Sequence, residues 1–473
     1  MPSQFSYQPA PLLGLSGIDI IDPVEAADFP QTILRYRNDR AAASVGLEWL
    51  TDAAWINHFG RFQPLPENQA QPLALRYHGH QFRHYNPDLG DGRGFLFAQL
   101  RDDRGRLLDL GTKGSGQTPW SRSGDGRLTL KGGVREVLAT ALLEALGVDT
   151  SKSFSLIETG ESLTRHDEPS PTRGAVLVRL SHSHIRFGTF ERLAYLNQAD
   201  EMKRLIRFVA DNYYPDLAAY EGPELSAALF DRVVTRTAEL CAQWMCAGFV
   251  HGVLNTDNMN ITGESFDYGP YRFLPYLQPG FTAAYFDKNG LYAYARQADA
   301  VFWNLNRLAQ TFLLTCEDKP LIAALENFSE RFETAMNHAF LRRLNLKSVN
   351  PETDEQLLAA GFKGLTHMSP AGGFEGFFFD WFGGKQSEAR AMSGPREDFY
   401  QDEAFAPFRA LIASYEAEDS SRLSHTLFSH PEPVTLVYEE IETLWAPIAE
   451  QDDWSAFARK LVEIEDYRQA LRL

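Results

Sequence analysis

The chain has little cysteine. Three occur in 473 residues, Cys241, Cys246 and Cys316, with no C-x-x-C pair. That odd, unpaired count suits a reducing compartment, so a cytoplasmic location is expected. No run approaches the roughly 18 apolar residues a membrane span needs, so no membrane partner is expected. The opening stretch, MPSQFSYQPAPLLGLSG, has neither a basic segment nor an apolar one after it, and a secretory signal is not expected. Basic charge is short: 45 Lys and Arg against 63 Asp and Glu leave −18, which argues against a nucleic-acid partner. Fixed-period repeats and long low-complexity tracts are absent. So are G-x-x-x-x-G-K-[ST], G-x-S-x-G and H-E-x-x-H, which excludes a P-loop, a serine nucleophile elbow and a zincin helix. What remains is a globular composition, 44% hydrophobic and 23% charged, long enough for one large domain or two to three ordinary ones.

The first 70 residues are mixed and punctuated by proline. LGDGRGFLFAQLRDDRGRLLDLGTKGSG then reads as a hairpin: FLFAQL and LLDLGTKG are strands, and RDDRGR is their turn. A polar loop, SGQTPWSRSGDGR, leads to a helix over about 133–145, with Val134, Leu138, Ala141, Leu142 and Ala145 on one face. AVLVRL (175–180) is another strand. A long helix over about 224–247 delivers the chain to His251, and DAVFWNLNRLAQTFL is a later helix. Beyond Pro351 the pattern, including AGGFEGFFFDWFGG, places no element. A glycine-rich hairpin, a strand lysine, a helix with an internal glutamate, a long helix and a His/Asn/Asp loop follow in that order. This is the layout of an α+β, two-lobed protein-kinase-like fold. Residues 1–180 would be an N-lobe with an antiparallel sheet and one key helix. Residues 181–473 would be a mainly helical C-lobe with a catalytic and metal loop at 251–269.

Gly90, Gly92 and Gly94 form G-x-G-x-G ahead of the first hairpin strand. Without Cβ atoms such a turn lets amides approach phosphate, though a plain turn explains it as well. Lys113 ends the second strand, where it would reach a nucleotide phosphate if a carboxylate orients it. Glu136 is preferred as that partner over Glu144, two turns further on; the bland reading leaves Lys113 in solvent. Asp125-Gly126 has ordinary turn chemistry. Arg179 and Arg186 together would grip a phosphate, or else lie on the surface. His78, His80 and His84 have no zinc-like spacing and read as structural. Cys241 and Cys246 sit in an apolar helical pattern as buried thiols, about 140° apart around the helix.

HGVLNTDNMNITGESFDYG, from His251, carries the strongest pair. Asn258 stands seven residues after His251, and Asp267 follows beyond what reads as a short hairpin. An amide oxygen and a carboxylate are what hard Mg²⁺ needs beside phosphates. Two residues after the histidine, where a kinase keeps its base, stands Val253, which accepts no proton. Asp257 is the one carboxylate inside the loop and is the candidate for that task.

LGDGRG, GTKGSGQTPWSRSGDGR, VREVLATALLEALGV, SHIRFGTFE and HGVLNTDNMNITGESFDYGP together resemble the selenoprotein-O family over roughly residues 75–315. The resemblance implies a kinase-like protein adenylyltransferase that binds ATP in a flipped orientation. AMP would pass to Ser, Thr or Tyr hydroxyls of proteins, and pyrophosphate would leave. It further implies that Gly90, Gly92, Arg93, Asp125 and Gly126 contact the nucleotide, and that Lys113, paired with Glu136, holds phosphates with Arg179 and Arg186. Asp257 would be the proton acceptor. Asn258 and Asp267 would hold Mg²⁺ or Mn²⁺, with Asp267 also near ATP. The alternatives are γ-phosphoryl transfer, which Val253 disfavours, and a nucleotide-binding scaffold without turnover, which Asp257, Asn258 and Asp267 disfavour. Several bacterial members carry a C-terminal cysteine that pairs with one beyond the metal-binding Asp. This chain ends YRQALRL and has no cysteine between Asp267 and Cys316, so redox control of that form is not expected.

Overall fold

The computed structural model describes residues 5–166 and 168–473. Alternation of side chains builds its first half. In the strand Leu107–Lys113, Leu108 and Leu110 enter one apolar cluster and Leu107 the opposite one. In Thr172–Ser181, Val176 and Val178 join the first cluster, Ala175 and Leu177 the second. Period two therefore puts Lys113 on the Leu107 side and Arg179 on the Leu177 side, which is the same face of the sheet.

That sheet is antiparallel throughout. Its strands run Ile21–Pro23, Leu73–Leu75, Leu96–Arg101, Leu107–Lys113, Thr172–Ser181, Lys152–Leu163 and Ile33–Arg37, with Leu128–Thr129 pairing onto Thr172–Ser181. Trp55, Phe59 and their neighbours from the first 65 residues cover one face. The helix Leu130–Ala145 lays Val134, Val137, Leu138 and Leu142 on the other. It begins three residues before the expected start, because the Thr129 hydroxyl caps it by accepting from Gly132 N (3.1 Å). Gly133 is needed there: a Cβ would come within 2.4 Å of Leu156 Cδ1, so the helix settles directly on the sheet. The hairpin strands and the 175–180 strand lie where expected. Lys152–Leu163 was not expected, because its pattern is polar. The polar groups are bonded inside: Ser155 Oγ accepts from Trp55 Nε1 (2.9 Å), and Ser153 Oγ accepts from the Thr140 hydroxyl (2.9 Å).

Helices dominate the rest, giving an α+β chain. Gly222–Cys246 packs against Gln297–Phe312 and Phe328–Arg343. No helix among the described residues is long and apolar enough to cross a membrane. Cys241 and Cys246 are buried on opposite sides of their helix, in different apolar clusters, and burial pushes the Cys246 thiol up to about 12. Cys316 lies just past the end of Gln297–Phe312 rather than on a helix, and its thiol donates to Phe312 O (3.5 Å). The last helix, Ser455–Leu471, returns to pack on Leu130–Ala145. Just ahead of it Asp452 binds Arg35 and Arg173, which also share Glu158.

AGGFEGFFFDWFGG contains the buried helix Phe374–Asp380, which anchors this return. Glu375 accepts from Arg343 Nη2 (2.5 Å) and from the Tyr467 hydroxyl of the last helix. Arg343 is only 3% exposed, so removing its carboxylate strands a buried cation. Glu375→Ala is expected to cost about 3–5 kcal/mol in urea unfolding. Glu375→Gln, whose amide oxygen still accepts from Arg343 while its NH2 can donate to the Tyr467 hydroxyl, should cost less.

Candidate active site

Lys113 is 4% exposed, so it does not stand in solvent. Its ammonium donates to Glu136 Oε1 and to Asp267 Oδ1 (2.6 Å). Glu144 is occupied elsewhere by Arg40 and Lys152. Arg179, two strand positions from Leu177, places Nη1 3.6 Å from Asp267 Oδ1. Arg186 places Nη1 3.6 Å from Asp267 Oδ2 and Nη2 3.4 Å from Asp91 Oδ1. Neither arginine lies on the surface: Arg179 is 4% and Arg186 6% exposed.

Arg186 reaches the cluster through a linker that crosses the sheet. Gly111 makes room for it, since a Cβ there would sit 1.7 Å from His184 Nε2. The buried Asp109 carboxylate holds the linker by accepting from His184 N (2.8 Å). Phe187 N then donates to Met259 O (2.9 Å), which ties the next helix to the loop after His251. Phe266 lies under both guanidiniums, 5.7 Å from Arg179 and 4.9 Å from Arg186. Asp267 has φ +63°, a left-handed conformation that Asp tolerates better than most residues. Burial would raise its pKa, but Lys113, Arg179, Arg186 and Arg93 outweigh that and hold the carboxyl well below the usual range.

The loop from His251 is fixed from below. His251 Nε2 pairs with Phe266 O (3.0 Å), and Asn258 Nδ2 donates to Val253 O (2.9 Å). No hairpin separates Asn258 from Asp267. The intervening residues make a turn bridged to two other segments, Asn260 to Arg186 and Ser265 to Thr150. Asp257 is buried beside Arg186, whose Nη1 donates to Asp257 O (2.8 Å). Burial raises its side-chain pKa to about 7, while Arg186 pulls it down.

The histidine-rich segment has a part that sequence reasoning missed. Gly79–Gln81 and His84–Asn86 form a small hairpin that closes over this loop. His80 N donates to Thr256 Oγ1 (2.7 Å) and Phe82 N to Asn255 Oδ1 (3.0 Å). Glu191, buried on the helix Phe187–Tyr195, joins them: Oε1 pairs with His80 Nδ1 (2.6 Å) and Oε2 accepts from Thr256 Oγ1 (2.6 Å). The only hint was that YHGHQF and the glutamate of SHIRFGTFE are polar clusters without a metal-like spacing.

Other expected contacts stand apart from the ion cluster. Gly90 and Gly92 pack against Trp120, where Cβ atoms would lie 2.4 Å from its ring and 2.9 Å from its carbonyl, and a Cβ at Gly94 would meet Thr112 O at 2.1 Å. The glycines are thus required by protein packing. Arg93 is exposed and reaches the cluster only through its field on Asp267. Asp125 accepts from Arg165 Nη1 (2.8 Å) and Arg127 N (3.0 Å), and Gly126, at φ +70°, packs on Gly116. A separate cavity of about 890 Å³, lined by Arg40, Glu144, Lys152 and Glu264, contains none of the converging groups; the ion cluster is the candidate site on its chemistry.

The family model for protein adenylyltransferase SelO matches residues 3–465, and so extends well beyond 75–315. The chain belongs to the protein adenylyltransferase SelO family. A protein nucleotidyltransferase YdiU of Gloeobacter violaceus is 46% identical over 470 residues, 96% of this chain and 94% of that protein. One from Trichodesmium erythraeum is 44% identical over 475 residues, 98% of each chain, and one from Trichormus variabilis 43% over 467 residues, 96% and 94%. The C-terminal helices therefore belong to the family as much as the loop at His251 does.

Within this SelO-family site several buried polar atoms have no hydrogen-bond partner among the described residues. They include Arg179 Nη1, Arg186 Nε, Glu136 Oε2 and Asp257 Oδ1. Two free donors face an anion's requirement, and the free Asp257 oxygen faces a donor's.

Two outcomes follow from this geometry. Lys113→Met leaves Glu136, 1% exposed, without its cation. It should lower stability by about 3–5 kcal/mol in urea unfolding as well as activity, and Lys113→Met/Glu136→Gln should recover much of the stability but none of the activity. The buried pair with Glu136 thus excludes the bland reading of Lys113 in solvent. A methyl at Gly79 would meet Asp257 Cβ and Oδ1 at 3.2 Å. Gly79→Ala should lower kcat by about tenfold or more, since small misplacements at a reacting centre are costly, with only a small change in Tm.

Proposed function

We propose that this nucleotidyltransferase moves AMP from ATP to Ser, Thr or Tyr hydroxyls of proteins. The observation that carries the reading is the pairing of Asp257, buried with a free carboxylate oxygen, with the free arginine donors of Arg179 and Arg186, while Val253 occupies the kinase base position. The reading includes a two-lobed protein-kinase-like arrangement, with residues 1–180 holding the nucleotide and 181–473 supplying the loop at 251–269.

In the proposed reaction Lys113, Arg179 and Arg186 bind the phosphates and offset their charge. Glu136 keeps Lys113 aimed into the cleft. Asp257 takes the proton from the acceptor hydroxyl, whose oxygen forms a bond to the α-phosphorus. The bond from that phosphorus to the bridging oxygen breaks, and pyrophosphate leaves with the electron pair. Gly90, Gly92, Arg93, Asp125 and Gly126 form the proposed outer contacts to the nucleotide.

Asn258 and Asp267 suit a divalent ion. The Asn258 amide nitrogen is committed to Val253 O, which orients its oxygen as the free donor, and Asp267 stays ionised. Among the described residues no group of three His, Cys, Asp or Glu side chains is arranged for a metal. A set of one amide and one carboxylate fits Mg²⁺ or Mn²⁺ bound together with substrate phosphates. When bound, the ion supplies charge neutralisation at those phosphates.

Parallel incubations with α-labelled and γ-labelled ATP test the reaction. Label from the α position alone should reach protein, with an AMP-sized mass increase; a phosphate-sized adduct overturns the proposal in favour of a kinase. Asp257→Ala should lower transfer by about 10²–10⁴-fold while ATP still binds. Asp267→Ala should abolish transfer and weaken metal-dependent ATP binding, and Asn258→Ala should weaken binding less, because a neutral amide contributes less to a divalent ion.

A further inference from the structure

The hairpin over Asp257 has a tip that its own fold does not explain. Gln81 and His84 are cross-strand partners, so Phe82 and Arg83 alone make the turn. Both have positive φ, 50° and 67°. Two-residue turns of this kind favour Asn-Gly, since side chains strain them. A Phe-Arg pair in that conformation places two large side chains at a fixed spot beside the base, and backbone strain of this sort gathers at functional sites.

Phe82 packs against Phe286 (5.7 Å) and Phe286 against Tyr285 (5.1 Å). Tyr285 is 80% exposed and Phe286 47%. Arg83 lies over Trp303 (5.5 Å), which Arg307 also faces (5.1 Å). Trp303 in turn touches His80 (5.2 Å), whose neighbour Tyr85 stacks on Tyr195, 62% exposed. The rings thus form one continuous ledge, hung on the backbone that binds Asn255 and Thr256. Tyr, Trp, Phe and Arg are the residue types enriched in protein interfaces and their energetic centres.

The charge on the ledge is positive in a chain of −18. Arg83, Lys288 and Arg307 have no carboxylate in ion-pair range among the described residues. Two nearby acids, Asp287 and Glu191, are buried, 5% and 4% exposed, so the basic groups and not these carboxylates face the surface. Asp287 accepts from Leu291 N (2.9 Å) and Tyr292 N (2.8 Å), and Glu191 is held by His80 and Thr256. Asp299, a turn before Trp303 on the same helix, and Asp88, just beyond the hairpin, are the exposed acids beside it, against the three basic groups Arg83, Lys288 and Arg307.

We propose that this ledge docks the acceptor polypeptide, and that it favours a segment with acidic residues beside the hydroxyl that is modified. The inference rests on the AMP-transfer reading above. Aromatic rings would take apolar side chains of the segment, and Arg83 and Arg307 its carboxylates. The base would then meet the hydroxyl from the side on which the hairpin closes.

The test uses the full chain, α-labelled ATP with Mg²⁺, and two synthetic peptides of equal length. Each carries one hydroxyl residue, flanked by Asp and Glu in one and by Lys in the other. The acidic peptide should be labelled with a kcat/KM about tenfold higher, and Arg83→Glu should remove or reverse that preference, chiefly through KM. Tyr285→Ala, at a position too exposed to affect folding, should raise KM for both peptides with kcat and ATP affinity unchanged. Equal labelling of both peptides, unaltered by Arg83→Glu and Tyr285→Ala, overturns the inference and leaves AMP transfer standing. Failure of α-label to reach any protein or peptide overturns the transfer reading, and this inference with it.

Discussion

A single carboxylate, Asp267, sits where three buried cations meet, and the site depends on that balance. Lys113, Arg179 and Arg186 arrive from two strands and a linker that crosses them. Without an anion among them they would repel one another in a medium too poor in water to screen them. Glu136 takes part of the charge of Lys113 from the helix side. The sheet's parity, the missing side chain at Gly111 and the close seat of the helix at Gly133 all serve to bring these groups within reach. The cluster keeps surplus donors, Arg179 Nη1 and Arg186 Nε, and that surplus suits it to polyanionic substrates.

The pieces of the site closest to the backbone pattern were legible in the sequence. Lys113 at a strand end and Glu136 on the following helix follow from local periodicity, and His251, Asn258 and Asp267 stood out through their kinase-like spacing, although the hairpin expected between the last two is a bridged turn. Long-range geometry was not legible. Nothing in RLSHSHIRF says that His184 lies over Gly111, or that this carries Arg186 inside. Nor does the G-x-G-x-G run show that its glycines are also required by packing against Trp120 and Thr112 O. Lys152–Leu163 escaped notice because its buried serines and glutamate find partners only after folding. The last helices were obscure because their anchors, such as Glu375 and Tyr467, are far apart in sequence.

The hairpin at Gly79–Asn86 changes how the loop at Asp257 is understood. In isolation that loop is a short 3-10 turn, Thr256–Asn258, with one acid. In the fold its Asn255 and Thr256 side chains are clamped from above by the Phe82 and His80 amides, and Thr256 from the side by Glu191. The buried cations and Asp257 are thus held by different parts of the chain, and the linker at 182–187 joins them.

The return of Ser455–Leu471 to the helix Leu130–Ala145 bears on how the protein is made. A ribosome releases the sheet and the Glu136 helix long before the residues that cover that helix's outer side. Until those last turns emerge, the helix has an uncovered apolar flank, and the lysine it orients is less firmly held. A chain that has not yet closed this contact exposes apolar surface of the kind that invites aggregation.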